Sequence, residues 1–397
     1  MKPINDNPIT QDLVLIGGGH SHVIALKMLA MCDLSGVRIT LISNASLTPY
    51  SGMLPGLIAG HYEYRHVHID LARLCRALGI RFIEDAVVSL DLDNRRIQCA
   101  KHPDFLYDIL SIDIGSSPDI SSIPGAKKFT QGVKPVDSFL SYWDTLQARV
   151  LDQHLSNQQL NIALVGAGAS GVEVALAMQY ALNKKLKVAK RSVDIEFHIL
   201  CATQDILPSH NQKVRDRYKK VLNKRNVTVH KRFRVTRVEQ GCLFDETDPE
   251  DGKHLQADEV IWAISASAPS WPKSAGLQCS DKNFIQVNEC LQSLSHPNVF
   301  AAGDIADVID HPRPKAGVFA VRQGQPLSEN LVRALNEVAL KPFKPQTRFL
   351  SLVSTGDKYA VASRGNWALS GKWVWRWKDY IDQKFMRSLN ELGLRDT

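Results

Sequence analysis

Two short apolar runs in this chain each end in a glycine-rich turn and open into a helix-like stretch. The first reads Leu13-Val14-Leu15-Ile16-Gly17-Gly18-Gly19-His20-Ser21-His22, the second Asn161-Ile162-Ala163-Leu164-Val165-Gly166-Ala167-Gly168-Ala169-Ser170-Gly171. A strand that enters a helix through such a turn leaves bare backbone N–H groups at the helix N-terminus, which seats a pyrophosphate. Each loop therefore predicts a βαβ unit. The first has strands at 13–16 and 37–42 around a helix from about 20 to 32; the second has strands at 161–165 and 193–200 around a helix from about 171 to 182. Two units imply two dinucleotides, and two dinucleotides in one body imply electron transfer between them. At 397 residues the chain has room for two or three domains.

The two loops are not equal. Gly166, Gly168 and Gly171 supply the tight turn, the close approach to pyrophosphate and the close helix–strand packing, and Glu173 falls in the first helical turn, where the dipole favours a carboxylate. The second strand's end, His198-Ile199-Leu200-Cys201-Ala202, offers neither a carboxylate for a ribose hydroxyl nor an arginine for a 2′-phosphate, so NADH and NADPH both stay open. In the first loop Gly17 and Gly19 fit, but His22 stands at the third glycine position, so looser helix–strand packing is expected there. Ser43 and Asn44 occupy its ribose side and can hydrogen-bond a hydroxyl without charge.

Other classes are excluded by what surrounds the loops. A net charge of +7 suits anionic nucleotides or a membrane surface but is too weak to argue for nucleic acid. The basic stretches 184–191 and 215–237 read as a solvated helix face and an edge strand. Residues 1–11 lack an apolar signal-peptide core, and no run approaches the roughly 20 apolar residues of a membrane span. The seven cysteines show no C-x-x-C spacing, which points to a reducing, cytoplasmic setting. His61, His66 and His68, with His20 and His22, lack a carboxylate or thiolate partner in a fixed geometry, so no metal is expected.

A third motif, Asn298-Val299-Phe300-Ala301-Ala302-Gly303-Asp304, carries a resemblance. It is similar to the second FAD motif of the pyridine nucleotide–disulfide oxidoreductases, and the order of loop, loop and Gly-Asp motif is also theirs, over about the first 330 residues. The resemblance implies an α/β fold: two Rossmann-like dinucleotide-binding domains, for FAD and NAD(P)H, plus a small C-terminal α+β domain. Its boundaries would be 1–118 for the first part of the FAD domain, 119–285 for the NAD(P)H domain, 286–340 for the second FAD part and 341–397 for the C-terminal domain. It implies FAD contacts at Gly17, Gly19, His20, Ser43, Pro49, Gly115, Gly303 and Asp304, with Asp304 on the ribityl chain. Pro314-Lys315-Ala316-Gly317 opens a helix aimed at the flavin's pyrimidine edge; Lys315 would add charge there, or is a surface lysine at a helix start. Ile114-Gly115-Ser116 and Ile264-Ser265-Ala266 depart from the usual crossover strings.

Within the superfamily the chain resembles type II NADH dehydrogenases, and more closely the subgroup often fused ahead of selenide, water dikinase. The strings 17–23, 48–56, 313–320, 354–357 and 373–386 carry that likeness. The implied activity is NAD(P)H oxidation: hydride to FAD, then electrons to a second acceptor, with a quinone as the family's choice. A disulfide reductase needs a cysteine pair over the flavin, and Pro49-Tyr50-Ser51-Gly52 has none. A sulfide:quinone reductase needs thiols where Ser116 and Ser117 stand, and no cysteine follows Cys290. The alternative is a flavin-bound regulatory or docking module tied to selenophosphate synthesis. No proton-transfer residue is expected, since hydride transfer needs stacking and exclusion of water. The terminal helix sets Trp373, Trp377, Tyr380, Ile381, Phe385, Leu389 and Leu392 on one stripe, with Arg376, Lys378 and Asp382 elsewhere. That stripe either docks on the protein body or lies on the cytoplasmic face of a membrane.

Overall fold

The run Gln11–Ile16 is enclosed on both sides from Leu13 onward, which marks a strand in the middle of a covered parallel sheet. A computed structural model of the chain describes residues 8–118, 120, 122–152, 159–247, 252–264 and 266–391. In it this run is the central strand of a five-stranded parallel sheet in the order Val299–Ala301, Ile109–Ile112, Gln11–Ile16, Val37–Ser43, Arg81–Glu84. A second parallel sheet repeats the plan as Gln131–Gly132, Glu259–Trp262, Gln159–Val165, Asp194–Cys201, Val227–Lys231. Each body also carries a three-stranded antiparallel sheet, within residues 87–106 in the first and 237–256 in the second.

The chain interleaves the two bodies. It leaves the first through Ser117–Pro118 and returns through Ala266–Ser267, and these two passes pair antiparallel. The edge strand Val299–Ala301 of the first sheet thus comes from beyond the whole second body, which puts the Gly303-Asp304 turn beside the first glycine loop.

The second predicted helix is longer than its pattern suggested, Ala169–Val188, because its interior is buried almost throughout against the second sheet. Of the crossover around residue 264, Ser265 lies outside the described residues. The C-terminal part has a three-stranded antiparallel sheet, Ser351–Ser354, Ala360–Arg364 and Trp367–Gly371; the third strand was not foreseen.

The terminal helix Lys372–Asn390 corrects the aromatic stripe. Its inward face is Val374, Lys378, Asp382, Met386 and Leu389, whereas Trp373 (53% exposed), Trp377 and Tyr380 face outward. The stripe is thus divided, Leu389 and Phe385 packing on the core while Trp373, Trp377, Tyr380 and Ile381 turn out, because a paired Lys378–Asp382 can turn inward when each atom finds a partner. Leu392 lies outside the described residues.

Candidate functional site

The cradle is built from turns at the carboxyl ends of the strands. Gly17, at φ +93°, donates its N–H to Ile42 O (2.7 Å), and Gly166, at φ +120°, donates to Leu200 O (3.0 Å). Both angles lie where a β-carbon is strained. At Gly171 a β-carbon would run into Gly166 O, so the third glycine allows the helix to sit against the turn. Gly168 has open space on its side-chain face, and no side chain caps the helix behind it.

His22 answers the missing third glycine in a way composition could not show. It is fully buried; Nδ1 donates to Gly17 O (2.7 Å), which makes Nε2 the acceptor for Ser111 Oγ (2.8 Å). The imidazole is thus a strut between turn, helix and neighbouring strand. Burial lowers its pKa to about 4, against the opposing bond to Gly17, so it is neutral.

Around the first helix terminus the structure gathers several predicted residues and three that were missed. His20 opens the helix, with its ring edge-on to Tyr50 (5.4 Å between centres) and its Nε2 buried without a partner among the described residues. Asp304 Oδ2 accepts from Lys134 Nζ (3.0 Å) and Ser116 Oγ (3.1 Å). Gly303 N donates to Gln323 Oε1 (2.6 Å). Gly115, at φ +73°, faces open space. Pro49 ends a strand paired with His68–Asp70, and the buried Ser43 ends the strand Val37–Ser43. Ala316 precedes the helix Gly317–Leu335, whose start lies against Ser51. Lys315 Nζ is turned to Ala306 O and sits 4.3 Å from the Phe284 ring centre. Lys134, Gln323 and the buried Asp113 were not foreseen, since each reaches the site from a loop, strand end or helix with no glycine motif of its own, and Ser116 was read only as a departure from a crossover string and as the place of a missing thiol.

A second polar group lies where the terminal helix spans the two bodies. Lys378 Nζ donates to Gly52 O (2.7 Å) and Asp382 Oδ2 (2.6 Å), while Tyr50 OH donates to Asp382 Oδ1 (3.2 Å). Glu173 faces this side: its Oε1 accepts the Ser354 N–H (2.6 Å), and burial raises its pKa while Lys378 opposes. His66 and His68 make local hydrogen bonds, to Glu63 N and Tyr64 O, whereas His61 Nε2 donates to Gly356 O (2.7 Å) of the C-terminal part. All seven cysteines are free thiols, and none lies in the Pro49–Leu54 loop.

These residues fit a flavin dinucleotide. The second glycine turn opens on an uncapped helix terminus, Gly115 and Gly168 leave open faces, the His20 Nε2 lacks a partner among the described residues, and the Asp304 carboxylate lies near that imidazole.

Comparison with known proteins agrees. The NADH dehydrogenase-like protein YutJ of Bacillus subtilis is 23% identical over 88% of this chain and 90% of its own length. The type II NADH:quinone oxidoreductase NdhA of Mycobacterium tuberculosis is 25% identical over 91% of this chain and 81% of its own. In fold, the sulfide:quinone oxidoreductase of Aquifex aeolicus superposes with a TM-score of 0.81, at 18% identity, over 98% of this chain and 93% of that one. NDH2 of Plasmodium falciparum, solved in complex with NADH, gives 0.75 at 16% identity, over 95% and 98%. The pyridine nucleotide-disulphide oxidoreductase profile matches residues 11–324, a span that takes in both glycine turns and Asp304, and the chain belongs to that family.

Proposed function

We propose that this chain is an FAD-dependent NAD(P)H dehydrogenase that passes electrons from the nicotinamide through its flavin to a quinone. The observation that carries it is the pair of same-plan bodies, each with a glycine turn at the end of its central strand, joined where Asp304 of the first accepts from Lys134 of the second, with no thiol in the loop that a disulfide relay would need. FAD, when bound, supplies the hydride acceptor and the means of releasing electrons singly.

The chain's own residues bind and orient. Gly17, Gly19, His20, Ser43, Pro49, Gly115, Gly303 and Asp304 form the proposed FAD cradle, with Ala316 and Gly317 presenting a positive helix terminus and Lys315 near it. Gly166, Gly168 and Gly171 form the NAD(P)H seat. Quinone reduction consumes protons, and Lys378 Nζ, held by Asp382 and Gly52, is a largely enclosed cation on that side of the junction, with Glu173 nearby. The similarity to the Mycobacterium tuberculosis NADH:quinone oxidoreductase supports the quinone. Sulfide oxidation is disfavoured, because Ser116 spends its hydroxyl on Asp304 where a thiol would be needed.

Anaerobic mixing of the FAD-loaded protein with NADH, and separately with NADPH, is expected to bleach the flavin absorbance, and a water-soluble quinone to restore it. A protein that stays yellow would favour the regulatory module, and one that takes up no flavin would end the proposal.

Two further contacts belong to the proposal. The outward face of Lys372–Asn390 sets Trp373, Trp377, Tyr380 and Ile381 among Lys372, Arg376, Lys384 and Arg387, which suits an anionic headgroup layer. Among the described residues no helix is long and apolar enough to cross a membrane. Strings 48–56, 313–320 and 354–357 support an association with selenide, water dikinase. Sedimentation with phosphatidylglycerol vesicles, and with the purified dikinase, is expected to carry the protein down. The double variant Trp373→Glu/Trp377→Glu should lose vesicle binding by at least tenfold while keeping NADH-dependent bleaching.

A further inference from the structure

The two bodies differ at one buried position. Strands Ile109–Ile112 and Glu259–Trp262 hold the same place beside their central strands, so the residues that follow them, Asp113 and Ala263, are equivalent. Their amides make the same bond, Asp113 N to Ile16 O (2.8 Å) and Ala263 N to Val165 O (2.9 Å). Asp113 is 2% exposed, and its Oδ2 accepts the backbone N–H groups of Ser21 (2.9 Å) and His22 (3.1 Å). Those amides belong to the first turn of the helix that the glycine loop aims at a pyrophosphate. Gly19 and Gly303 both border the carboxyl group so tightly that a β-carbon at either would overlap it. The first body thus has a carboxyl group of its own at the helix terminus, where the second presents an uncapped terminus and the open face of Gly168.

No cation pairs with Asp113 among the described residues. The helix contributes His20 and His22, both neutral through burial; the Gly303 turn contributes Asp304, whose charge is met by Lys134, and Lys315 lies further along, on Ala306 O. A pyrophosphate arriving at this terminus brings negative charge into the same field.

We propose that Asp113 is the positioning residue of the FAD site, holding the helix terminus in the flavin-free protein and taking up one proton when the dinucleotide binds. This rests on the FAD reading above. Protonation puts the hydrogen on one carboxyl oxygen and leaves lone pairs for the Ser21 and His22 amides, so the terminus keeps its geometry while the anionic repulsion disappears. Burial, and then Asp304, already lift the Asp113 pKa to about 7, against the amide bonds. Below that pH the proton is in place; above it the proton must come from solvent. The affinity for FAD therefore falls about tenfold per pH unit above about 7.

Titration of the flavin-free protein with FAD, followed by flavin fluorescence between pH 6 and 9, tests this. Wild type is expected to weaken by on the order of a hundredfold from pH 7 to 9. Asp113→Asn, which keeps a carbonyl acceptor without the charge, should bind at all pH values as wild type does at pH 6. A flat wild-type profile, or a slope that survives in Asp113→Asn, overturns the proposal. If Asp113→Asn does not fold, a pH-indicator dye in weakly buffered wild type decides the matter: proton uptake on adding FAD at pH 8 supports it, and none overturns it. Failure of wild type to bind FAD at any pH would instead overturn the FAD reading, and this inference with it.

Discussion

Gly19→Ala is expected to strip the protein of its flavin and lower its stability by about 3 kcal/mol or more, from overpacking together with disturbed bonds to a buried carboxyl. The new methyl would land on the Asp113 carboxyl group, which is enclosed and bonded to two amides and has nowhere to turn. Thermal unfolding and flavin content of the purified variant check the effect. Introducing Gly19→Ala into an Asp113→Ala background should recover at least about 1 kcal/mol of that loss, because the obstructing atoms are gone and the two sites are in direct contact. Equal losses in both backgrounds would show that Gly19 is needed for backbone freedom instead, although its extended φ of −65° is open to any residue.

Acid should loosen the first body through His22. In the fold its pKa is about 4, mainly from burial, while in the unfolded chain it returns to the ordinary value of 6.5. Between those values the unfolded state binds a proton that the folded state refuses, so stability falls as pH drops from 6.5 towards 4, by about 3 kcal/mol for this imidazole. His20, also lowered to about 4, pushes the same way. Asp113 opposes them: its raised pKa means that its contribution is lost as pH rises from the ordinary carboxyl range to about 7. Urea unfolding of wild type and His22→Phe at pH 7 and pH 4.5 separates these effects. The variant is less stable at pH 7, with Ser111 and Gly17 unpartnered, but should lose about 2–3 kcal/mol less on acidification. Parallel losses in the two proteins would assign the acid sensitivity elsewhere.

Much of the architecture was readable because it depends on local pattern. The apolar runs before Gly17 and Gly166 could only be covered strands, and the glycines that follow could only be turns, so two βαβ units were legible from residue order alone. Asp304 was legible through a motif. Lys134 and Ser116 were not, since a lysine before a proline and a serine in a crossover loop acquire meaning only when the interleaved chain brings them to the same carboxylate. The stripe of the terminal helix is divided for a related reason. Periodicity ranks faces by hydrophobicity, but the buried face carries Lys378 and Asp382 because Gly52 and Tyr50, more than three hundred residues away, satisfy them.

Residue order by itself determined the two strand–turn–helix units, the order of the motifs and the absence of a cysteine from residues 49–54, because turns, strands and cysteine spacing are properties of neighbours in the chain. Only the tertiary structure decided that His22 is a strut rather than a misfit, that the outward face of the last helix is aromatic, and that Asp113 stands at one helix terminus while Ala263 leaves the other free. Each of those depends on which buried polar atoms find partners, and partners in a folded chain are set by space rather than by sequence distance.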